Sequence, residues 1–354
     1  SQTGTTPLSD PDYQHPMQLT AGKGLVKATG TITGQDVDII GGQIELLGKT
    51  TATTNDIGMD AYLGNAEVSD MEATHGLIQV VSNKPTDANG NAIGNVIANG
   101  TITAGQSVYL GANHDVTTKA GIRAGTFAYL EADHNAIADG AVSAGTDAFV
   151  TAGHDITTHE VQAGNKILVS SNGGTNAEDG GTVTLKGTLT AGAENNNTAV
   201  VVGTEGKFIN EVGSNVINVG TGSNWQVYSY APDTDEFGSL NSNTNAIWNH
   251  TYTSTKAVDT SNANHYIFEV QPTATISTVD VSKTYGEDYV KIYGEHKVTV
   301  SRTYNGTDLS TYNDAFQEDG AKITATASSV GDAATADRTH GQYASDDGNM
   351  AIYD

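Results

Sequence analysis

Three consecutive stretches of sequence share one pattern, and that pattern decides the fold. Residues 104–115 read AGQSVYLGANHD, residues 124–135 read AGTFAYLEADHN, and residues 144–155 read AGTDAFVTAGHD. The Ala-Gly pairs begin at Ala104, Ala124, Ala144 and Ala163, so they recur after 20, 20 and 19 residues. A fixed period of this size is typical of stacked repeat architectures.

Within each copy, apolar and small residues occupy every second position. The residues three, five and seven positions after Gly105 are Val108, Leu110 and Ala112, and the later copies keep this pattern. A period of two indicates strands with one face directed inward. One unit cannot bury that face alone, so the units must stack and pair each strand with its copies above and below. We therefore predict an all-β fold: a right-handed parallel β-helix, followed by a cap segment and a small antiparallel β module.

Composition divides the 354 residues into four segments. Prolines concentrate at the start, both tryptophans lie at 225 and 248, and short alternating runs appear from about residue 273. The predicted segments are a lead-in segment (1–19), the parallel β-helix (20–222), a Trp- and Tyr-rich cap (223–270), and a small β-sandwich-like module with a flexible tail (271–354).

Charge and residue usage exclude several classes of protein. The net charge of −25 predicts repulsion from nucleic acid and from anionic lipid, so we expect neither as a partner. Cysteine is absent, so no disulfide framework holds the chain together. No apolar run is long enough to span a bilayer, so we expect no membrane insertion. The chain opens without a signal peptide, which favours a fragment of a longer protein.

Segments after the coils, taken together with the coil pattern, resemble a known family. Residues 225–229 read WQVYS and residues 237–240 read FGSL; residues 283–287 read KTYGE and residues 302–307 read RTYNGT. In this order they resemble the filamentous-haemagglutinin-like large exoproteins, which are adhesins of bacterial two-partner secretion. The resemblance implies a secreted or cell-surface bacterial protein that leaves the cell through an outer-membrane transporter of the two-partner type.

The resemblance also implies a function. We expect an adhesin or filament fragment that acts as a rigid stalk in attachment, aggregation or biofilm formation. Its partners would be glycans or proteins of host or neighbouring cells, or copies of itself in a filament. Catalysis is not expected, because Arg123 is the sole arginine of the coils and the acidic residues do not gather on one strand ladder. Two alternatives remain: a β-helical polysaccharide-degrading enzyme, and a phage tail fibre or spike.

Histidine recurs at one position of three successive copies, as His114, His134 and His154. In stacked coils these side chains form a ladder, and neutral imidazoles are good ligands for Zn, Cu or Ni. The alternative is a ladder of turns in which histidine and its Asn or Asp neighbours adopt turn or left-handed conformations. We predict no metal site, and these three residues are the candidates if one exists.

Aromatic residues recur in the same way at Tyr109, Tyr129 and Phe149, on the face opposite the apolar positions. Tyr62 is expected to continue this line. A flat aromatic stripe can bind sugar rings or a protein partner. Alternatively, a neighbouring loop covers it, either 83–99 or 171–181.

Two acidic stretches offer oxygen ligands for Ca²⁺, at residues 233–236 and 178–179. Neither has the full ligand spacing of a known calcium loop, so solvated turns are the alternative. We predict no cofactor, with Ca²⁺ as the one weak candidate.

Overall fold

The computed structural model describes residues 2–4, 8–9, 17–83, 86, 90, 92–173, 180–194, 198–252, 263–278, 287–288, 292, 297–317, 324–327 and 350–353. The chain divides into two compact units, Ser1–Val270 and Gln271–Asp354. Each unit is described by itself.

Three parallel sheets, here called A, B and C, make up the first unit. Sheet A has ten strands, which in stacking order are Gln2–Gly4, Leu25–Ala28, Gln43–Leu46, Ala66–Val68, Val96–Ala98, Val116–Thr118, Ala136–Ala138, Ile156–Thr158, Thr182–Leu185 and Lys207–Asn210. Sheet B has ten strands, which are Leu8–Ser9, Ile32–Gly34, Thr50–Ala52, Met71–Ala73, Ile102–Ala104, Ile122–Ala124, Val142–Ala144, Val161–Ala163, Leu189–Ala191 and Ile217–Val219. Sheet C has twelve strands, which are Met17–Thr20, Val37–Gly41, Ile57–Ala61, Ile78–Ser82, Val108–Ala112, Ala128–Ala132, Asp147–Ala152, Lys166–Ser171, Thr198–Gly203, Asn224–Ser229, His265–Phe268 and Ile247–Trp248.

Successive strands of the chain visit sheets A, B and C in turn, so each turn of the chain forms one coil. The register joins equivalent residues of the repeat, as in the column Leu110, Leu130 and Val150 of sheet C. These side chains are fully buried, as are Ile102 and Ile122 in sheet B. The core therefore runs between the three sheets as ladders of aliphatic residues, and the predicted all-β parallel β-helix is confirmed.

The glycines of the Ala-Gly pairs lie where one coil closely approaches the backbone of the previous coil. A Cβ added at Gly125 would lie 2.0 Å from the carbonyl oxygen of Gly105, and one added at Gly145 would lie 2.0 Å from that of Gly125. A Cβ added at Gly164 would meet the carbonyl of Gly145 at 2.1 Å. The repeat thus needs glycine because the carbonyl of the previous coil occupies the space of a side chain.

The first coil begins earlier than the sequence pattern indicates. Gln2–Gly4 pairs with Leu25–Ala28 in sheet A, and Leu8–Ser9 pairs with the strand that begins at Ile32 in sheet B. The predicted lead-in segment therefore contains strands of the β-helix. The alternation is too short in these strands of two and three residues to be read from the sequence.

The last coils carry an aromatic cap. His265–Phe268 pairs in parallel with the strand that begins at Asn224, and the two-residue strand 247–248 pairs with it in turn. The ring of Tyr266 is fully buried, with its centroid 5.2 Å from that of Trp225 and 4.9 Å from that of Phe237. Because aromatic rings replace the aliphatic ladders here, the stacking of equivalent residues ends at this cap.

The second unit contains short antiparallel strands. Its described elements are the three-stranded sheet Thr273–Thr278, Val298–Tyr304 and Thr307–Asp308, the 3₁₀ helix Leu309–Tyr312, and the pair Thr324–Ala327 and Met350–Tyr353. Asn305 and Gly306 close a hairpin with φ values of 48° and 78°, because a two-residue turn of this kind requires positive φ at both positions. Residues 283–286 of the KTYGE segment lie outside the described residues.

Candidate functional site

The predicted aromatic stripe forms one column on the outer face of sheet C. Tyr109 pairs in register with Tyr129, and Tyr129 with Phe149. The ring centroids are 5.5 Å apart in the first pair and 5.3 Å apart in the second. All three side chains are half-buried, so each presents part of its ring to solvent.

Tyr109 is held in place by its neighbours in the same sheet. Its hydroxyl donates a hydrogen bond of 2.8 Å to Glu131 Oε2. Its ring lies over Gly111, where an added Cβ would come within 2.9 Å of three ring and hydroxyl atoms. Burial, and then the bond to Glu131, raise the pKa of Tyr109 well above its usual value. The first ring of the column is therefore fixed and remains a neutral phenol.

Two details of the stripe differ from the sequence prediction. Tyr62 does not continue the line, because the register pairs Gly58, and not residue 62, with Gln79 and so with Tyr109. Conversely, Phe127 was missed. It precedes the strand Ala128–Ala132, lies two residues before Tyr129 and is 44% exposed. Its position outside the repeated Tyr/Phe column hid it from the periodicity.

A cavity lies at each end of the aromatic column. One, of about 270 Å³, is lined by Gln79, Ser107 and Tyr109 among others. The other, of about 470 Å³, begins at Phe149 and extends to Tyr228 and Tyr252. Both are open grooves on the surface of the sheet, so a ligand bound in either would stay partly exposed to solvent. The sequence prediction missed Tyr228 and Tyr252, which both come from the cap segment. Tyr228 lies in the sheet C strand Asn224–Ser229, and Tyr252 follows the strand Ile247–Trp248.

The larger cavity combines aromatic walls with hydrogen-bonding groups. The rings of Tyr228 and Tyr252 meet edge to face with centroids 5.6 Å apart. The Tyr228 hydroxyl donates to Gln226 Oε1 at 2.9 Å, and its pKa is raised by burial and then by Tyr252. Asp147 and Lys166 line the same cavity and are partners in register. Apolar rings beside fixed donors and acceptors suit a ligand with both apolar faces and hydroxyl groups, as a sugar has.

The predicted covering of the stripe by a loop stays a prediction. The two candidate loops include residues 84–85, 87–89, 91 and 174–179, which lie outside the described residues.

The histidine ladder is stacked as the repeat predicts. The ring centroids of His114 and His134 are 4.6 Å apart, and those of His134 and His154 are 5.7 Å apart. The carboxylate of Asp115 lies between the first two, with Oδ2 2.9 Å from His114 Nδ1 and Oδ1 2.9 Å from His134 Nδ1. His154 instead faces its own neighbour Asp155, with Nδ1 3.1 Å from Oδ1. The structure thus groups two of the three candidates and separates the third.

The residue after each histidine forms a hydrogen-bonded ladder from coil to coil. Asn95 Oδ1 accepts from the backbone N–H of Asp115, Asp115 Oδ1 accepts from that of Asn135, and Asn135 Oδ1 accepts from that of Asp155, each at 3.0 Å. Among the described residues, the non-glycine positions with positive φ are Ser239, Asn243, Asn249 and Asn305, so these turns do not use the left-handed conformation. The turn ladder predicted as the alternative is present. Its Asn and Asp side chains stabilise the turns by accepting hydrogen bonds from backbone N–H groups of the next coil, not by adopting left-handed conformations.

The acidic stretch 233–236 is largely occupied by structural contacts. Asp235 is partly buried; its Oδ1 accepts from the backbone N–H of Phe208 at 2.9 Å and its Oδ2 from Ser229 Oγ at 2.5 Å. Glu236 joins the open edge of sheet A through backbone hydrogen bonds to Phe208 and Asn210. The second candidate, residues 178–179, lies outside the described residues.

No family model, curated protein or solved structure matches this chain. The similarity to filamentous-haemagglutinin-like exoproteins therefore stays a prediction from the quoted segments. Within the described part of the chain there is no helix with the length and apolarity that crossing a bilayer requires.

Proposed function

We propose that this chain is part of a secreted or cell-surface bacterial adhesin of the filamentous-haemagglutinin-like type. It acts without catalysis, as a rigid stalk that binds glycans along the outer face of sheet C. The observation that carries the proposal is the column of three aromatic rings, in register and about one strand spacing apart, with a cavity at either end. Export through a two-partner transporter rests on the sequence resemblance alone.

Two physical properties of the face support glycan binding. Sugar rings bury their C–H faces on aromatic side chains. Tyr109, Tyr129 and Phe149 stack on one another and are half-buried, so the column offers a ligand the exposed parts of these rings and, at its two ends, the surfaces of Tyr109 and Phe149 that line the two cavities. The larger cavity supplies polar groups from Asp147 and Lys166 to pair with hydroxyl groups. A chain of sugars lying along the sheet would meet one ring per coil, so affinity would accumulate over several weak contacts.

The test is a glycan array probed with the full chain, followed by titration of each positive glycan. The variant Tyr109→Ser/Tyr129→Ser/Phe149→Ser should lower the affinity for those glycans about tenfold or more, because it removes three aromatic contacts, and an aromatic contact is worth roughly 0.5–1.5 kcal/mol beyond its buried area. A matched control is Ile97→Ser/Ile137→Ser. These two residues are half-buried and point outward from sheet A of the same set of coils, and their loss should leave binding unchanged.

Three outcomes would count against the proposal. An array without any positive glycan would contradict it, and equal binding by the aromatic variant and the control would place the contact elsewhere. Release of new reducing ends from a bound polysaccharide would favour the β-helical enzyme instead.

A further inference from the structure

We infer that His114, Asp115 and His134 form a binding site for a divalent transition-metal ion of the Zn²⁺ class at one corner of the coils. This inference does not depend on the proposed adhesin function. It rests on side chains brought together from two successive coils. Of the three histidines in the ladder, it assigns His114 and His134 to the site and leaves His154 outside it.

The ligand geometry carries the inference. One ligand atom from each of these three residues lies within 4.8 Å of the others, and this is the one such group of three in the part of the chain that the structure describes. In a tetrahedral Zn²⁺ site, ligand atoms about 2.0–2.2 Å from the metal are roughly 3.3 Å apart. The three atoms thus need to close by about 1.5 Å at most. All three side chains are at least partly exposed, so the ion has access.

The chemistry of the donors selects the kind of ion. Two imidazole nitrogens and one carboxylate are the donor set of many zinc sites, whereas Ca²⁺ and Mg²⁺ prefer oxygen ligands. The carboxylate adds a negative charge, and the net charge of −25 raises the local concentration of cations. Asn95 Oδ1, 3.2 Å from His114 Nδ1, or a water molecule would complete the fourth position.

The repeat holds the carboxylate of Asp115 in place. Asp115 Oδ1 already accepts from the backbone N–H of Asn135, which fixes the carboxylate between the two histidines. Its Oδ2 faces His114 and is free of that backbone contact. In the neighbouring coils the residues equivalent to Asp115 are Asn95 and Asn135, which carry no charge. In this ladder a carboxylate occurs again only at Asp155.

His154 is the internal control that the fold offers. It stacks on His134 in the same ladder, yet its Nδ1 lies 3.1 Å from Asp155 Oδ1 and it does not belong to the group of three. A metal site built on Asp115 therefore survives the loss of His154, whereas binding by the ladder as a whole would not.

The experiment is isothermal titration calorimetry of Zn²⁺ into the full, tag-free chain, with Mg²⁺ in excess to saturate weak acidic sites. We expect one Zn²⁺ per chain in the wild type and in His154→Gln. We expect affinity to fall roughly tenfold or more in His134→Gln and in Asp115→Asn, since the loss of even an outer-shell partner costs about that much. Asp115→Asn keeps the oxygen that caps the Asn135 amide, so this variant retains the ladder and should fold.

A second measurement separates a defined centre from diffuse binding. Co²⁺ in place of Zn²⁺ should give the visible absorption of a tetrahedral nitrogen- and oxygen-ligated ion, and His134→Gln should abolish it. The inference is overturned by an absence of Zn²⁺ binding in the wild type. It is also overturned if all four proteins bind Zn²⁺ equally, or if His154→Gln loses as much affinity as His134→Gln. None of these results bears on the glycan-binding face.

Discussion

At the scale of single residues, glycine in the Ala-Gly pairs has a steric role that can be tested directly. A Cβ at Gly125 would lie 2.0 Å from a backbone oxygen of the previous coil, whereas one at Gly121 would have its nearest neighbour, a backbone oxygen, at 3.5 Å. Backbone cannot rotate out of the way as a side chain can, so the coils themselves must separate.

We therefore expect Gly125→Ala to lower the free energy of unfolding by about 1–3 kcal/mol, the usual cost of overpacking. Gly121→Ala, four residues away, should leave it within about 0.5 kcal/mol of the wild type or raise it slightly. Urea denaturation followed by circular dichroism measures both. Equal denaturation midpoints for the two variants would show that the coils separate around residue 125 at little cost in free energy.

Asp235 is a second residue whose environment has a measurable consequence. Burial raises the pKa of this carboxyl from its ordinary value of 3.8 to about 8, opposed by the Phe208 amide and the Ser229 hydroxyl and assisted by Asp233. Between these two pH values the folded chain holds a proton that the unfolded chain has released. The contribution of Asp235 to stability is therefore full below pH 3.8 and is lost as the pH rises towards 8.

Asp235→Asn should remove this dependence, because the amide keeps the oxygen that accepts from Phe208 and cannot ionise. We expect the melting temperature of the wild type to fall, relative to that of the variant, between about pH 5 and pH 8. Glu211→Gln, which removes an exposed acidic residue of the same region, should show the same pH dependence of the melting temperature as the wild type. Parallel melting curves for wild type and Asp235→Asn across this range would show that Asp235 ionises normally in the folded chain.

At the scale of elements, the cap completes edges that the coils leave open. Sheet C continues through Asn224–Ser229 to His265–Phe268, and the backbone of Glu236 pairs with the last strand of sheet A. Without these segments the last strands would present unpaired backbone groups and the side chain of Phe208, which is fully buried in the complete chain. Exposed strand edges next to apolar side chains recruit other chains.

A chain ending at residue 222 should therefore aggregate, while a chain ending at residue 270 should stay monodisperse. Size-exclusion chromatography with light scattering distinguishes the two. If the shorter chain is as monodisperse and as stable as the longer one, the segment after residue 222 is dispensable and is not a cap.

At the scale of the whole molecule, the charge acts against the regular stacking. Equivalent side chains of neighbouring coils are about 4.8 Å apart, and the chain carries 41 acidic but only 16 basic residues. Ion pairs between coils, such as Lys27 with Glu45 and Lys49 with Glu72, offset part of this repulsion. The excess of like charge remains and is sensitive to ionic strength.

We expect the melting temperature to rise when NaCl is increased from about 10 mM to about 150 mM, because the Debye length falls from roughly 30 Å to roughly 8 Å. A non-ionic solute at matched osmolality serves as the control and should produce a smaller change. A melting temperature that falls with salt would mean that attractive ion pairs outweigh the net repulsion.

The sequence by itself determined the parallel β-helix and its core. A period of about twenty residues with alternating apolar positions predicts stacked coils of short strands, because stacking similar units places equivalent residues in register. The same logic placed Tyr109, Tyr129 and Phe149 in one column and His114, His134 and His154 in another. Each of these predictions follows from local spacing repeated along the chain.

Only the tertiary structure decided what breaks or crosses the repeat. Tyr62 falls out of register, and the first strands lie inside the predicted lead-in segment, because local similarity does not specify which residues hydrogen bond across coils. The burial of Asp235 and the arrival of Tyr252 at the sheet C face depend on non-repeating segments folding back on the coils. The pairing of Asp115 with two histidines, and of Asp155 with one, is likewise decided by side-chain orientation, which the period of the sequence does not encode.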